Sequence, residues 1–409
     1  MIPAFETLGE DGPVLRTRKQ ASASAGQSNP SRYDVHDAEA FDLRFLDGFK
    51  FDLESQTVAD LTIAENAVWD LGQRECFAPQ ESYADAMLNI EAMASVRMDG
   101  RPPSARDIFF ELARLSLGNS DAADHVVRYK RDRASLVYAQ QQAVEPASTQ
   151  MLFELHGRVL PPRNMEKAGL LRDSLQHIGG SRYHTFGSAY TMPPPENIQP
   201  LLEDLVAFMN DEGLPVVEQA GIAHAQLINI HPFERGNGKM ARAAVHFIMR
   251  YRGITPRYLL PITPVIVTSS HDYVAGINAC KFNGSEAQET VNANENAWLR
   301  YFSTCCLKAA DGAASFIGTC EQALKHVFDS VPLRNGSAAQ SIVKSIPAMP
   351  VFSVRMMADY AGCSFKRASE GCKLLESAGV LQLQSQVKRN RIYFSPEVLN
   401  AYMSIDALR

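Results

Sequence analysis

The 409-residue chain is poor in the features that announce several common classes of protein. Its seven cysteines are odd in number and scattered, and no CxxC or CxxH spacing occurs. Neither a zinc site nor a disulfide framework is therefore expected, and reduced, mostly buried thiols in a cytoplasmic protein are the plain reading. No apolar run is long enough to span a bilayer. The opening residues, MIPAFETLGEDGP, lack a basic stretch followed by an apolar one, so no signal peptide is expected. Excess positive charge is also missing. The net charge is −6, so any nucleic-acid binding must come from a local patch.

What remains is the composition of a globular protein, 45% hydrophobic and 21% charged. Its length predicts two or three domains. Residues 1–40 are rich in Ser, Ala, Gly and Pro without periodicity and are expected to form a flexible arm. From Leu53 the pattern is helical, with Val58, Leu61, Ala64, Val68 and Leu71 on one face. Further helices are expected up to Asp99-Gly100, from Ser104 to Leu117 with Ser104 as cap, over 120–142 and over 146–158. The segment 176–195, with Gly179-Gly180, aromatics and a triple proline, reads as a hairpin or extended flap. Helices resume at Gln199–Asp211 and Val216–Ile230, ending near His231 because Pro232 disfavours a helical predecessor. Another runs from Asn237 to Gly253, and more fill 265–330. A linker at Leu333–Ser337 leads to a compact unit reading helix, helix, turn, helix, hairpin.

The most informative stretch is HPFERGNGKMAR at 231–242. Turn glycines that open a helix expose backbone N–H groups, and a helix N-terminus attracts anions. Lys239 and Arg242 add positive charge. A nearby imidazole can take a proton from an attacking hydroxyl. The pattern points to a nucleotide-phosphate site with a built-in base.

This stretch resembles the Fic-domain signature HPFx(D/E)GNGRxxR. LHGRVL at 155–160, LLRD at 170–173, HIGG at 177–180, YTMPPPENI at 190–198 and GIAHAQLINI at 221–230 resemble Fic segments in the same order. The resemblance implies a mainly α fold: a helical Fic core with a β-hairpin flap, joined here to a C-terminal unit that resembles a winged helix-turn-helix. The implied division is an arm at 1–40, N-terminal helices at 41–145, a Fic core at 146–332 and a winged helix-turn-helix at 338–409. The implied activity is transfer of AMP from ATP to a Ser, Thr or Tyr hydroxyl of a target protein, or of the chain itself.

Carried over by position, His231 is the general base and Phe233 the anchor of the loop. Gly236, Asn237 and Gly238 form the anion-hole turn, and Arg242 contacts the terminal phosphate. Lys239 stands where the family has an arginine, keeping the charge without the planar fork. Arg235 stands where the family has the acid that binds Mg²⁺. Glu234 is one residue early, the only nearby metal-ligand candidate. Two readings stay open: the Arg235 guanidinium neutralises phosphate charge in place of a metal, or ordinary AMP transfer is lost.

Ser95–Gly100 resembles the inhibitory (S/T)xxxE(G/N) helix of a larger Fic subclass. That implies a pairing of Asp99 with Arg242 in which Ser95, Asp99 and Gly100 mark the motif. Ile178, Gly179 and Gly180 belong to the flap, which would hold a target segment by strand addition. Tyr273 is a candidate for the adenine pocket, with a core tyrosine as the alternative. His177, His184, His224 and His246 read as flap or packed helix histidines. In the C-terminal unit, Lys366, Arg367 and Lys373 lie on the recognition-type helix and Lys388, Arg389 and Arg391 on the wing. They suit DNA phosphates, although such units also dock proteins or form homodimers. A DNA-binding transcription regulator with a nucleotide-sensing or degenerate Fic domain is thus the alternative function.

Overall fold

The computed structural model describes residues 42–48, 50–77, 82–98, 103–118, 121–181, 184–281, 287–331, 333–384 and 391–406. The expected arm at 1–40, Asp99, Gly100, Lys388 and Arg389 lie outside these residues. The architecture is mainly helical, as expected.

Helix α1 (Ser55–Gly72) buries Thr57, Leu61, Ala64, Val68 and Leu71. Val58, expected on that face, is exposed and Thr57 takes its place, so the apolar stripe is rotated by one residue at its start. Helix α2 (Tyr83–Met98) follows and is buried along almost all its length. In α3 (Ala105–Leu115), Ser104 and Asp107 bond reciprocally across the first turn, satisfying amide groups a helix start leaves orphaned. Next come α4 (Asp124–Gln142) and α5 (Thr149–Val159), whose cap Ser148 accepts from the Met151 amide. The hairpin β1 (His177–Ser181) and β2 (His184–Thr191) is antiparallel, with an irregular register on either side of Gly179.

Helix α6 (Pro195–Met209) leads to α7 (Val216–Ile230) and α8 (Asn237–Tyr251). Nearly every residue of α7 and α8 is buried, which marks them as the central pair of the bundle. Two short helices, α9 (Thr263–Thr268) and α10 (Ser270–Ala279), precede α11 (Gln288–Ser330). At about 1.5 Å per residue α11 is roughly 65 Å long, and it packs on α1, α7 and α10 before reaching the C-terminal elements.

These last elements are α12 (Ala338–Ser345), β3 (Val351–Ser353), α13 (Val354–Tyr360), α14 (Phe365–Ser377), β4 (Gln382–Leu383), β5 (Ile392–Phe394) and α15 (Pro396–Asp406). The three strands form an antiparallel sheet in the order β3-β5-β4. Strand β3 and helix α15 were not legible in the sequence; β3 is three residues long, and α15 starts at a proline directly after a strand.

The C-terminal elements are stitched to α2 and α3. Ser82 Oγ donates to the Lys344 carbonyl (2.7 Å), Asn89 Nδ2 to the Ala348 carbonyl (2.9 Å), and Tyr360 Oη to Asp85 (2.7 Å). Tyr402 packs edge-on against Phe109 and Phe316. No helix among the described residues is long and apolar enough to cross a membrane.

Candidate functional site

Helix α7 ends at His231, the only non-glycine residue with positive φ (49°) among those described. A left-handed C-terminal residue stops a helix and turns the chain, but a side chain there is strained. His231 is held in that conformation from both sides. Its own amide donates to the Leu227 carbonyl (3.2 Å). The half-buried imidazole turns back over α7, with Nδ1 3.3 Å from the Ile228 carbonyl. A carbonyl only accepts, so Nδ1 carries the proton and Nε2 keeps its lone pair. Burial, with the charge of Arg172 nearby, lowers the His231 pKa from 6.5 to about 4. The imidazole is therefore neutral at pH 7 and able to accept a proton at Nε2.

The loop after it is built around Phe233, which is fully buried. The His156 ring stacks on it with centroids 3.7 Å apart, and Phe153 meets it edge-on at 6.3 Å. Asn237 closes the loop. Its side chain accepts from the Phe233 amide (3.0 Å) and donates to the Phe233 carbonyl (2.8 Å). The Asn237 amide group, expected to face phosphate, is thus used inside the turn. Gly236 has φ 84°, and a Cβ there would meet Val159 at 3.0 Å, so both backbone and space call for glycine. Immediately beyond it α8 begins at Asn237, presenting its first amides at the loop.

Two residues supporting this loop were missed as individual contributors in the sequence. His156 accepts from the Gly169 amide at Nδ1 (3.0 Å), so its Nε2–H donates to the Arg235 carbonyl (3.1 Å). Burial lowers its pKa to about 4. Arg172, 2% exposed, donates to the carbonyls of His231 (2.7 Å), Ser174 (3.0 Å), Pro193 (2.6 Å) and Ile230 (3.3 Å). It ties the end of α7 to the base of the hairpin. Burial lowers its pKa to about 10, so it remains charged. Tyr190, at the hairpin's other edge, donates to the Asn229 carbonyl (2.8 Å). No local pattern marks Arg172, because most of its partners are far away in sequence.

On α8, Arg242 is buried and donates from Nη2 to Ser95 Oγ of α2 (2.9 Å). A Cβ added to Gly238 would lie 3.5 Å from Arg242 Nη1, so the guanidinium sits beside the glycine turn. The structure thus brings together Ser95, Arg242 and Gly238.

Residues 146–249 match the model of the Fic/DOC family. This chain carries a Fic/DOC domain. It is 33% identical over 114 residues to the protein adenylyltransferase fic-1 of Caenorhabditis elegans, a match spanning 27% of this chain and 20% of that protein. It is 28% identical over 142 residues to the protein adenylyltransferase Fic of Nematostella vectensis, spanning 34% of this chain and 29% of that one. The chain therefore spans less than a third of the length of these relatives. A Fic family protein from Desulfovibrio desulfuricans G20 shares the fold, with a TM-score of 0.50, 12% identity, and coverage of 85% of this chain and 98% of that one.

The cations of the Fic/DOC loop are not equivalent. Lys239 Nζ lies 3.0 Å from Asp132 Oδ1 of α4, and both side chains are buried. Asp132 thus balances its charge from α4. Glu234 pairs with Lys167. The residues present do not fit a Mg²⁺ ion. Glu234 is bound to an ammonium, its neighbour is Arg235, and no group of three His, Cys, Asp or Glu side chains suited to a metal occurs among the described residues.

Other sequence candidates fall elsewhere. Tyr273 is buried with its hydroxyl 2.9 Å from His224 Nε2 and its ring near Trp298. Burial raises its pKa to about 12 and lowers that of His224 to about 3. His246 bonds Glu91 of α2 (3.0 Å), which also accepts from the Thr263 amide and hydroxyl. Ile178, Gly179 and Gly180 lie in β1 of the hairpin. Lys366, Arg367 and Lys373 are exposed on α14, where Arg367 donates to the Gly336 carbonyl (3.2 Å), and Arg391 bonds the Tyr393 hydroxyl.

Proposed function

We propose that this chain is a Fic-type protein adenylyltransferase that moves AMP from ATP to a hydroxyl of a target protein or of itself. One observation carries the reading: a desolvated, neutral His231 whose Nδ1 proton is committed to Ile228, leaving Nε2 as a base beside the amides that open α8. In the reaction, Nε2 takes the proton of a Ser, Thr or Tyr hydroxyl. The oxygen attacks the α-phosphorus, the bond to the bridging oxygen of the β-phosphate breaks, and pyrophosphate leaves. The amides of Gly236–Gly238 and the Arg242 guanidinium hold phosphate oxygens. Backbone at the hairpin edge receives the target segment.

Helix α2 restrains this site through Ser95, which engages the guanidinium needed for phosphate. The test uses ATP labelled at the α-phosphate, with wild type, His231→Ala and Ser95→Ala. Label on protein that His231→Ala abolishes supports the proposal. Absence of label in wild type and Ser95→Ala, on every target and on the chain itself, sinks it.

A second reading is DNA binding by a winged helix at 338–409. It is supported by helices α12, α13 and α14 beside a three-stranded sheet, with α15 following, and by exposed Lys366, Arg367 and Lys373 on α14. Salt-sensitive DNA binding lost on reversing Lys366 and Lys373 to Glu supports it. Undetectable affinity at low salt removes it.

A further inference from the structure

At the end of α7 opposite His231 lies a cavity of about 430 Å³. It is an open cavity lined by Leu46–Gly48, Lys50 and Phe51, by α6 and by the turn into α7. Its volume is in the range of small-molecule sites. Apolar walls come from Leu46, Phe51, Phe208 and Leu214, and the charged lining sets the acids Asp47, Asp204, Asp211 and Glu218 against one cation, Lys50.

The carboxylates around it differ in one respect. Asp204 accepts from the amides of Leu46 (2.6 Å) and Asp47 (2.9 Å). Asp211 accepts from the Gly213 amide (2.8 Å). Glu218 is only 5% exposed, yet among the described residues no donor bonds its carboxyl. Its neighbour Glu65, which accepts from the Val216 and Val217 amides, adds a second negative charge beside it. A buried carboxyl without a donor is costly as an anion. Consistently, burial and the Glu65 charge raise its pKa to about 7. A cation entering the cavity would remove that cost, and the aromatic walls would accommodate a hydrocarbon stem or the face of a cation.

We propose that this cavity binds an organic ammonium group on an apolar stem, with Glu218 as its counter-ion and Phe51 and Phe208 against the stem. The chemistry is shared by a free alkyl or aryl amine and by a lysine side chain of a partner protein. The site is independent of the reaction at His231.

The test is calorimetric titration of the full chain with 2-phenylethylamine, its neutral counterpart 2-phenylethanol, and Nα-acetyl-lysine amide. The expected result is saturable binding of a cationic probe at millimolar concentration or below, with the alcohol at least about tenfold weaker, an amount equal to about 1.4 kcal/mol. A preference for the free amine identifies a small-molecule ligand; a preference for the lysine amide identifies a partner side chain. Glu218→Gln keeps the shape and should weaken the cation about tenfold or more. Ala207→Trp, a change at an exposed lining residue, should block the mouth and abolish binding. Circular dichroism checks that both variants fold. No binding of either cation, equal binding of the alcohol, or unchanged affinity in folded Glu218→Gln overturns the proposal.

Discussion

Ser95 Oγ accepts a hydrogen bond from Arg242 Nη2 at 2.9 Å, joining α2 to the helix that follows the Fic/DOC loop. Hydrogen bonds to charged groups contribute about 1.5–3 kcal/mol. If a nucleotide phosphate must displace this one, Ser95→Ala should raise labelling from ATP by about tenfold. Initial rates at subsaturating ATP measure it, and an unchanged rate would show that Ser95 does not compete with phosphate.

Phe233 is the keystone of the loop, enclosed by His156 and Phe153. Phe233→Ala should lower stability by about 3–5 kcal/mol. Denaturant unfolding checks this, and Phe233→Leu should recover a large part of the loss.

Lys239 and Asp132 form a buried pair. Asp132→Ala removes the carboxylate from a buried ammonium and should cost about 3–5 kcal/mol, whereas Asp132→Leu with Lys239→Met should be near neutral. The double variant should also keep its affinity for ATP. A large loss of affinity without loss of fold would mean that Lys239 reaches the phosphates after all.

His156 and His231 are both held below the ordinary 6.5, at about 4, chiefly by burial. Unfolded, each takes up a proton at higher pH than when folded. Their contribution to stability is therefore complete above about 6.5 and is lost as pH falls from there through about 4. His156→Gln should flatten this slope, measured as unfolding free energy against pH. The base limb of kcat/KM for ATP-dependent labelling should fall below about pH 4 and be flat through pH 5–7, where an ordinary histidine would already show loss.

Arg235→Asp supplies the acid found in the family signature. Labelling should become dependent on Mg²⁺ and rise by about tenfold, roughly 1.4 kcal/mol of barrier. No gain with Mg²⁺ would show that the pairing of Glu234 with Lys167, rather than the missing acid alone, sets the loop's chemistry.

The helical architecture, the hairpin and the end of α7 at His231 were legible because periodicity, glycine pairs and Pro232 act locally. The sequence paired Arg242 with Asp99, which lies outside the described residues; the bond from Arg242 to Ser95 of the same motif was not foreseen. Nor did the sequence reveal which polar groups are consumed internally. Asn237 closes its own turn on Phe233, and Lys239 faces Asp132 and Tyr273 faces His224, the last two through partners brought in by α4 and α7. Arg172 was hidden for the same reason: it gathers the end of α7 and the hairpin base, which meet only in the folded chain.

Helix α2 has two anchorages. Ser82 and Asn89 near its start and middle are fastened to Lys344 and Ala348, while Glu91 and Ser95 farther along are fastened to α8. A chain shortened to end at residue 331 would strip Ser82 and Asn89 of these partners and leave α2 held by α4, α8 and Thr263. Trimming the protein to its Fic/DOC part would thus change how tightly Arg242 is held, and a labelling rate measured on the trimmed form would differ from that of the whole.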